Sequence, residues 1–306
     1  MNKVRTEKLK LIISMCIFGT IGIFVRNIPL PSSIIAFARG LVGMLFLLAV
    51  VLVKKSPISI EDIKKNLLWL IVSGAFLGMN WILLFESYRF TSVATATLCY
   101  YLAPIIVILV SPLFLKENLT LRKIVCTVVA LAGMVFVSGV LQNGIPKMEE
   151  LKGILFGLGA AVLYACIMII NKKIQGISAY DKTIVQLGIS AVVILPYCLL
   201  TEEVTALPFS GKVLFMLLLV GILHTGITYF LYFGAMGQLN AQTVAIISYI
   251  DPVVAVLISV FVLREGMDVG GLIGAVLILG AALASELERG NHKNNDMFKG
   301  KEISEK

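Results

Sequence analysis

Charged side chains are scarce in this chain. Asp, Glu, Lys and Arg make up 14% of its 306 residues and apolar types 58%, with a mean hydropathy of +0.96; soluble domains carry about 25% charged and about 45–50% apolar residues. So little polar surface cannot cover a water-exposed globule of this size, which excludes the soluble classes. Histidine is limited to His224 and His292, too few for a histidine-built metal or acid–base cluster. The five cysteines, Cys16, Cys99, Cys126, Cys166 and Cys198, all fall in apolar runs without CxxC spacing, so packing accounts for them better than metal or redox chemistry. A GxxxxGK[ST] phosphate loop is missing, and with it a nucleotide-driven motor within the chain. No cofactor and no metal site is expected.

What the chain has instead is ten apolar stretches long enough to cross about 30 Å of hydrocarbon. They lie near 9–25, 31–53, 66–88, 91–113, 122–140, 152–172, 178–200, 211–236, 239–263 and 268–286. They are continuous rather than alternating with period 2, so helices and not a barrel satisfy the backbone in lipid. The expected fold class is an all-α integral membrane bundle of ten transmembrane helices. The net charge of +8 follows topology rather than a nucleic-acid partner. With the N-terminus inside, inner loops and tails carry 19 Lys and Arg and outer loops 6. That bias puts both termini in the cytoplasm of a multi-pass protein of the cell membrane. The basic start, Lys3, Arg5, Lys8 and Lys10, resembles that of a signal peptide, yet no small-residue cleavage site follows. The expectation is therefore an uncleaved first helix.

The chain also repeats itself at an interval of 148 residues. Tyr101, Leu102, Ala103 and Pro104 lead to Lys116 and Glu117; Tyr249, Ile250, Asp251 and Pro252 lead to Arg264 and Glu265. Upstream, the same register pairs Gly78 with Gly226, Phe85 with Phe233 and Thr95 with Thr243. Two repeats are expected, 9–140 and 152–286, followed by a disordered cytoplasmic tail over 287–306. Five spans per repeat is an odd number, so the second repeat enters the membrane upside down, an arrangement characteristic of secondary carriers. Small residues spaced by four, Gly153 with Gly157, Gly270 with Gly274 and Gly271 with Ala275, permit close helix contacts. They serve packing inside a monomer or a seam between two copies.

On these residues the chain resembles the drug/metabolite transporter superfamily and its EamA-type branch of ten-helix carriers. The likeness rests on the paired Pro and Glu of the fourth and ninth spans and on Phe18 and Gly19 echoed by Tyr164 and Ala165. Arg39 of the second span, matched by Gln186 of the seventh, belongs to it too. The resemblance implies a solute carrier, often an exporter of amino acids, related metabolites or toxic compounds. It also implies a central cavity between the first, third, fourth, sixth, eighth and ninth helices.

Of the charged residues, Arg39, Asp251 and Glu86 are read as lying inside the spans, where a charge costs at least about 2.5–3.5 kcal/mol. Asp251 stands halfway along the ninth span beside Pro252, and its counterpart is Ala103. It either binds a cation or carries a coupling proton, or it is a protonated Asp hydrogen-bonded between helices. His224 is expected at similar depth, as a relay partner of Asp251 or as a neutral interhelical hydrogen-bonder. Arg39 is read as a structural latch or a substrate ligand, and Glu86 as its partner or that of Arg89. Asn80, Trp81, Tyr100, Tyr101, Tyr229, Tyr232 and Tyr249 supply amide and aromatic surface suited to zwitterionic or cationic solutes. Pro104 and Pro252 are expected to break their helices symmetrically, and Glu117 and Glu265 to cap the helix that follows each. The expected function is secondary transport of small organic metabolites by alternating access, with export and proton coupling. The alternatives are a membrane enzyme acting on lipid-linked substrates, disfavoured by the missing carboxylate and His cluster, and a sensor, disfavoured by the sparse loops.

Overall fold

The computed structural model describes residues 3–25, 27–90, 96, 99–137, 151–203, 207–262 and 269–286. The tail, most of the connection between the halves, Thr95, Arg264, Glu265 and His292 lie outside these residues. The helices are α1 (Lys3–Gly19), α2 (Ile21–Val25), α3 (Ser32–Val53), α4 (Ile60–Lys65), α5 (Leu67–Phe90), α6 (Ala103–Leu115) and α7 (Leu121–Val137) in the first half. The second half has α8 (Leu151–Lys173), α9 (Ala179–Thr201), α10 (Gly211–Leu219), a π-helical stretch (Val220–Ile227), α11 (Thr228–Gln238), α12 (Ala241–Ile247), α13 (Ile250–Phe261) and α14 (Val269–Glu286).

Polarity is turned outside in. Leu113, Leu200 and Val53 are about 80% exposed, whereas Asn80, Asn171, Gln186, Ser190 and Thr225 are wholly buried. A lipid surround explains this pattern, because it accepts bare apolar surface and forces polar side chains to find partners within the bundle. Six helical segments, Lys3–Val25, Ser32–Val53, Leu67–Phe90, Leu151–Lys173, Ala179–Thr201 and Gly211–Gln238, are long and apolar enough to cross by themselves. The fourth and ninth spans are shorter pieces. A turn at Tyr101 and Leu102 precedes α6, and one at Ser248 and Tyr249 separates α12 from α13. Each break falls within four residues ahead of its proline, Pro104 or Pro252, where a missing N–H costs least.

Helix packing respects the exchange of halves. The pairing of α5 with α8 is matched by that of α1 with α11, and α9 on α5 by the π stretch and α10 on α3. The pairs α3 with α9, α7 with α14, and α6 with α12 map onto themselves. Matching glycines mark the crossings. A Cβ on Gly78 would lie 2.9 Å from the Ser190 carbonyl oxygen, and one on Gly226 2.9 Å from Phe46 Cδ1. Gly157 approaches Cys99 and Ser87, and its neighbour Gly153 accepts a hydrogen bond from Ser87 Oγ at 2.7 Å. These small residues therefore serve packing within the bundle.

The spans also hold more charge than expected. Asp181 and Lys182, in the first turn of α9, are 3% and 4% exposed. Lys182 escapes isolation by donating to the Phe233 carbonyl at 2.6 Å, and Asp181 accepts from Ser59 N and lies at the start of its helix.

Candidate functional site

A cavity of about 420 Å³ lies in the middle of the bundle and runs toward the end at which α5 finishes, the Phe90 end. Its walls come from the first, third, fourth, sixth, eighth and ninth spans, the set the resemblance implies, with Arg39 of α3 added. Trp81 and Tyr229 occupy matching positions in the two halves and both line it, with ring centroids 5.9 Å apart. Tyr229 is edge-on to Phe18 at 5.1 Å. Tyr100 stacks on Tyr164 at 5.4 Å, and the Tyr164 hydroxyl lies 2.6 Å from that of Tyr232. Close aromatic packing of this kind makes a wall that keeps its shape without solute.

Two charged groups face this aromatic collar. Arg39 Nε donates to Thr225 Oγ1 at 3.1 Å, and its guanidinium carbon sits 5.0 Å from the centroid of the Trp81 ring. Planar guanidinium groups suit such stacking and leave further N–H donors for a ligand. Asp251 lies in the first turn of α13, because the break at Ser248 and Tyr249 starts a new helix there. Unpaired N–H groups at a helix start favour an acidic side chain, and the Tyr101 phenol also interacts with the carboxylate. No salt bridge joins Arg39 to Asp251. The cavity thus presents one cation and one carboxylate that are not paired with each other.

The π stretch explains how the eighth span reaches this arrangement. Thr225 Oγ1 donates to Val220 O and Thr228 Oγ1 to Leu223 O, each five residues back. Widening the helix by one residue shifts the following side chains around the axis, and such insertions recur at functional sites. It places Thr225 under Arg39. It also turns His224 away from the cavity: His224 is fully buried, with Nε2 2.9 Å from Thr20 Oγ1 and its ring 4.9 Å from that of Phe24. Thr20 Oγ1 spends its proton on the Ile17 carbonyl at 2.7 Å, so His224 Nε2 carries the hydrogen and Nδ1 is left without a partner. This is the geometry of a neutral interhelical donor, and His224 does not share the wall that Asp251 lines.

Of the other expected site residues, Tyr101, Tyr100 and Pro104 line the cavity and Asn80, Tyr249, Pro252 and Glu86 do not. Asn80 is fully buried and ties α5 to the Ala160 carbonyl of α8 at 2.6 Å. Tyr249 packs with Cys126, Ala130 and Met134 and donates to the Tyr101 carbonyl at 3.3 Å. Glu86 pairs with Arg89 at 2.9 Å, not with Arg39, and accepts from the Tyr197 hydroxyl. It borders a separate pocket of about 270 Å³ at the Phe90 end, together with Ser33 and Glu202. Among the cavity residues that sequence reasoning did not single out as site residues are Tyr88, Phe85 and Ser248, with Phe18 and Tyr164. Phe18, Tyr164 and Phe85 stood in the repeat pairings, which were the available signal for them.

A family model for EamA-like transporters matches residues 7–139 and again 151–285. The chain belongs to the EamA-like transporter family. Its similarity to an uncharacterized transporter of Bacillus subtilis (strain 168), YxxF, is 31% identity over 302 residues, covering 98% of this chain and 95% of that one. An S-adenosylmethionine uptake transporter of Rickettsia felis (strain ATCC VR-1525 / URRWXCal2) is 30% identical over 192 residues, covering 62% of each chain. A crystal structure with 18% identity superposes with a TM-score of 0.83 over 92% of this chain and 97% of its own, which concerns the fold alone. As an EamA-type protein of the drug/metabolite transporter superfamily, the chain is a multi-pass membrane transporter.

Proposed function

We propose that this transporter exports small zwitterionic or cationic organic solutes by alternating access, coupled to protons at Asp251. The observation that carries the reading is the sharing of one aromatic-walled cavity by Arg39 and Asp251 without a salt bridge between them. A solute bearing a carboxylate and an ammonium group satisfies both charges; an empty site leaves Asp251 free to take a proton instead. Proton and solute then compete for one carboxylate, which is sufficient to couple their movements. Positive residues such as Lys54, Lys55, Lys64, Lys65, Lys172 and Lys173 lie at the Lys3 end of the bundle, which supports a cytoplasmic Lys3 end and an outward-facing cavity. A neutral, Thr20-bonded His224 supports Asp251 as the single proton carrier rather than half of a relay.

The test is counterflow in proteoliposomes with a panel of amino acids, amines, nucleosides and a sulfonium-bearing zwitterion, the last suggested by the name of the Rickettsia relative. Internal pH is recorded for wild type and Asp251→Asn. Saturable exchange, with proton movement present in wild type and lost in the variant, is the expected result. Proton movement that survives in Asp251→Asn removes Asp251 from the coupling, and uptake from the Phe90 face favoured by the physiological gradient removes export.

A further inference from the structure

The cavity ends short of the Lys3 face, and the seal beneath it is made of ties between the two halves. Glu117, in the turn after α6, was expected to cap the next helix, α7. It caps a helix of the opposite half instead: its carboxylate accepts from Ala241 N at 2.7 Å and from Gln242 N at 3.2 Å, at the start of α12. Asn240, the residue at the N-cap position of α12 and a good capping type, makes no side-chain cap. The cap is therefore supplied across the repeat boundary, where it breaks if the halves part. Gln242 is fully buried and held from the first half as well, donating to Ser111 Oγ at 2.6 Å and accepting from Lys123.

A second set of contacts stays within the second half. Lys172 donates to the Leu239 carbonyl and Lys182 to that of Phe233, so α8 and α9 grip the end of α11 and the turn leading to α12. The turn is thereby fastened to its own half and moves with it. Of these ties at the turn, those from Glu117, Ser111 and Lys123 cross between halves.

We propose that Glu117 is a positioning residue of the transport cycle, a latch that holds the Lys3 face shut while the cavity is open to the Phe90 face. Opening toward Lys3 breaks its two bonds to Ala241 and Gln242, exposes four or so helix-start N–H groups to water, and frees the carboxylate to hydrate. Charge and helix-start geometry make this tie stronger than a neutral hydrogen bond, and water at the membrane surface makes it reversible. The inference rests on membership of a transporter family, not on the identity of the solute or on proton coupling.

The experiment uses the full chain in membrane vesicles of both orientations. Val107 is fully buried on α6, one turn from Ser111 and on the seal side of Pro104. In a Val107→Cys background, a membrane-impermeant thiol reagent is added from either face, and labelling is read by mass spectrometry of the peptide carrying residue 107. Glu117→Gln is expected to raise labelling from the Lys3 face about tenfold, equivalent to about 1.4 kcal/mol in the balance of the two states, and to lower it from the Phe90 face. Glu117→Asp, which keeps the charge on a shorter arm, is expected between Gln and wild type. Ser111→Ala loosens Gln242 without touching the carboxylate and is expected to give a smaller rise from the same face; it stands in if Glu117→Gln does not accumulate. Unchanged labelling in these variants, or an equal rise from both faces as general loosening would give, overturns the latch. Because no solute or gradient enters the measurement, its failure is separate from that of the export and coupling reading.

Discussion

The third and eighth spans hold matching places in the two halves and are built differently. The third is α5, an unbroken helix of 24 residues, and the amide N–H of its buried Asn80 ties it to α8. The eighth is α10 and α11 joined through a π stretch of 8 residues, whose Thr225 holds the Arg39 guanidinium. Beside the crossing glycines Gly78 and Gly226, the two spans share the aromatic pair Trp81 and Tyr229 on the cavity wall. The fourth and ninth spans differ in the same sense, with Ala103 fully buried where the ninth span has Asp251 at the cavity. Symmetry builds the cavity; departures from symmetry charge it.

The departure of greatest consequence is Asp251, and exchanging it with its counterpart tests whether position or chemistry decides. Asp251→Asn is expected to lower gradient-driven transport about 100-fold while exchange persists at saturating solute, since losing a charged partner in a desolvated site costs about 2–5 kcal/mol of solute binding as well as the proton site. Ala103→Asp added to that variant is not expected to restore it, because Ala103 is fully buried and does not line the cavity. Proteoliposome flux with and without a pH gradient measures both. Recovery in the double variant would make the halves chemically equivalent and undo the comparison.

Arg39 comes next. Arg39→Met removes the bond to Thr225, the stacking on Trp81 and the charge offered to solute. Its expected effect is a rise in KM of about tenfold for solutes bearing a carboxylate, with little change for an amine lacking one. A KM series over matched amino acids and decarboxylated amines reads this, and an equal rise for both classes would reduce Arg39 to a structural latch.

Much of the fold was legible beforehand. Apolar runs locate the spans, and the 148-residue register finds the crossing glycines, because a repeated interface needs the same small residue twice. The proline breaks were legible for the same reason, a missing N–H. The π stretch was not, since Val220 to Ile227 reads as ordinary apolar helix and the extra residue is fixed by packing on α3. With it went the orientation of His224, which depth alone places beside Asp251 and the widened helix turns toward Thr20. The partner of Glu117 was hidden too, because a cap across repeats leaves no local sequence pattern.

The glycines let the symmetric part of the comparison be weighed. An alanine at Gly78 drives its Cβ to 2.9 Å from the backbone oxygen of Ser190 and 3.1 Å from Val193, neither of which can swing aside. At Gly226 the 2.9 Å contact is with the ring edge of Phe46, a side chain able to turn. Gly78→Ala is therefore expected to cost about 1–3 kcal/mol of stability and Gly226→Ala less, read as the loss of Tm in detergent. Equal losses would mean that Phe46 is as fixed as backbone.

Glu86 marks the low end of the scale and the contrast with Asp251. Both are acidic, both stand where the other half has an uncharged residue, Gly234 and Ala103, and both lie on the Phe90 side of the seal. Glu86, however, already has Arg89 and Tyr197 as partners, and the Arg89 side chain is 65% exposed. Water screens such a pair and leaves it worth little. Glu86→Gln is accordingly expected to change transport from the Phe90 face by less than about threefold, measured as initial flux at low and high salt. A loss as large as that of Asp251→Asn would show that asymmetry of charge matters at the mouth as much as in the cavity, and that the solute meets its first recognition among Glu86, Ser33 and Glu202 before it reaches Arg39.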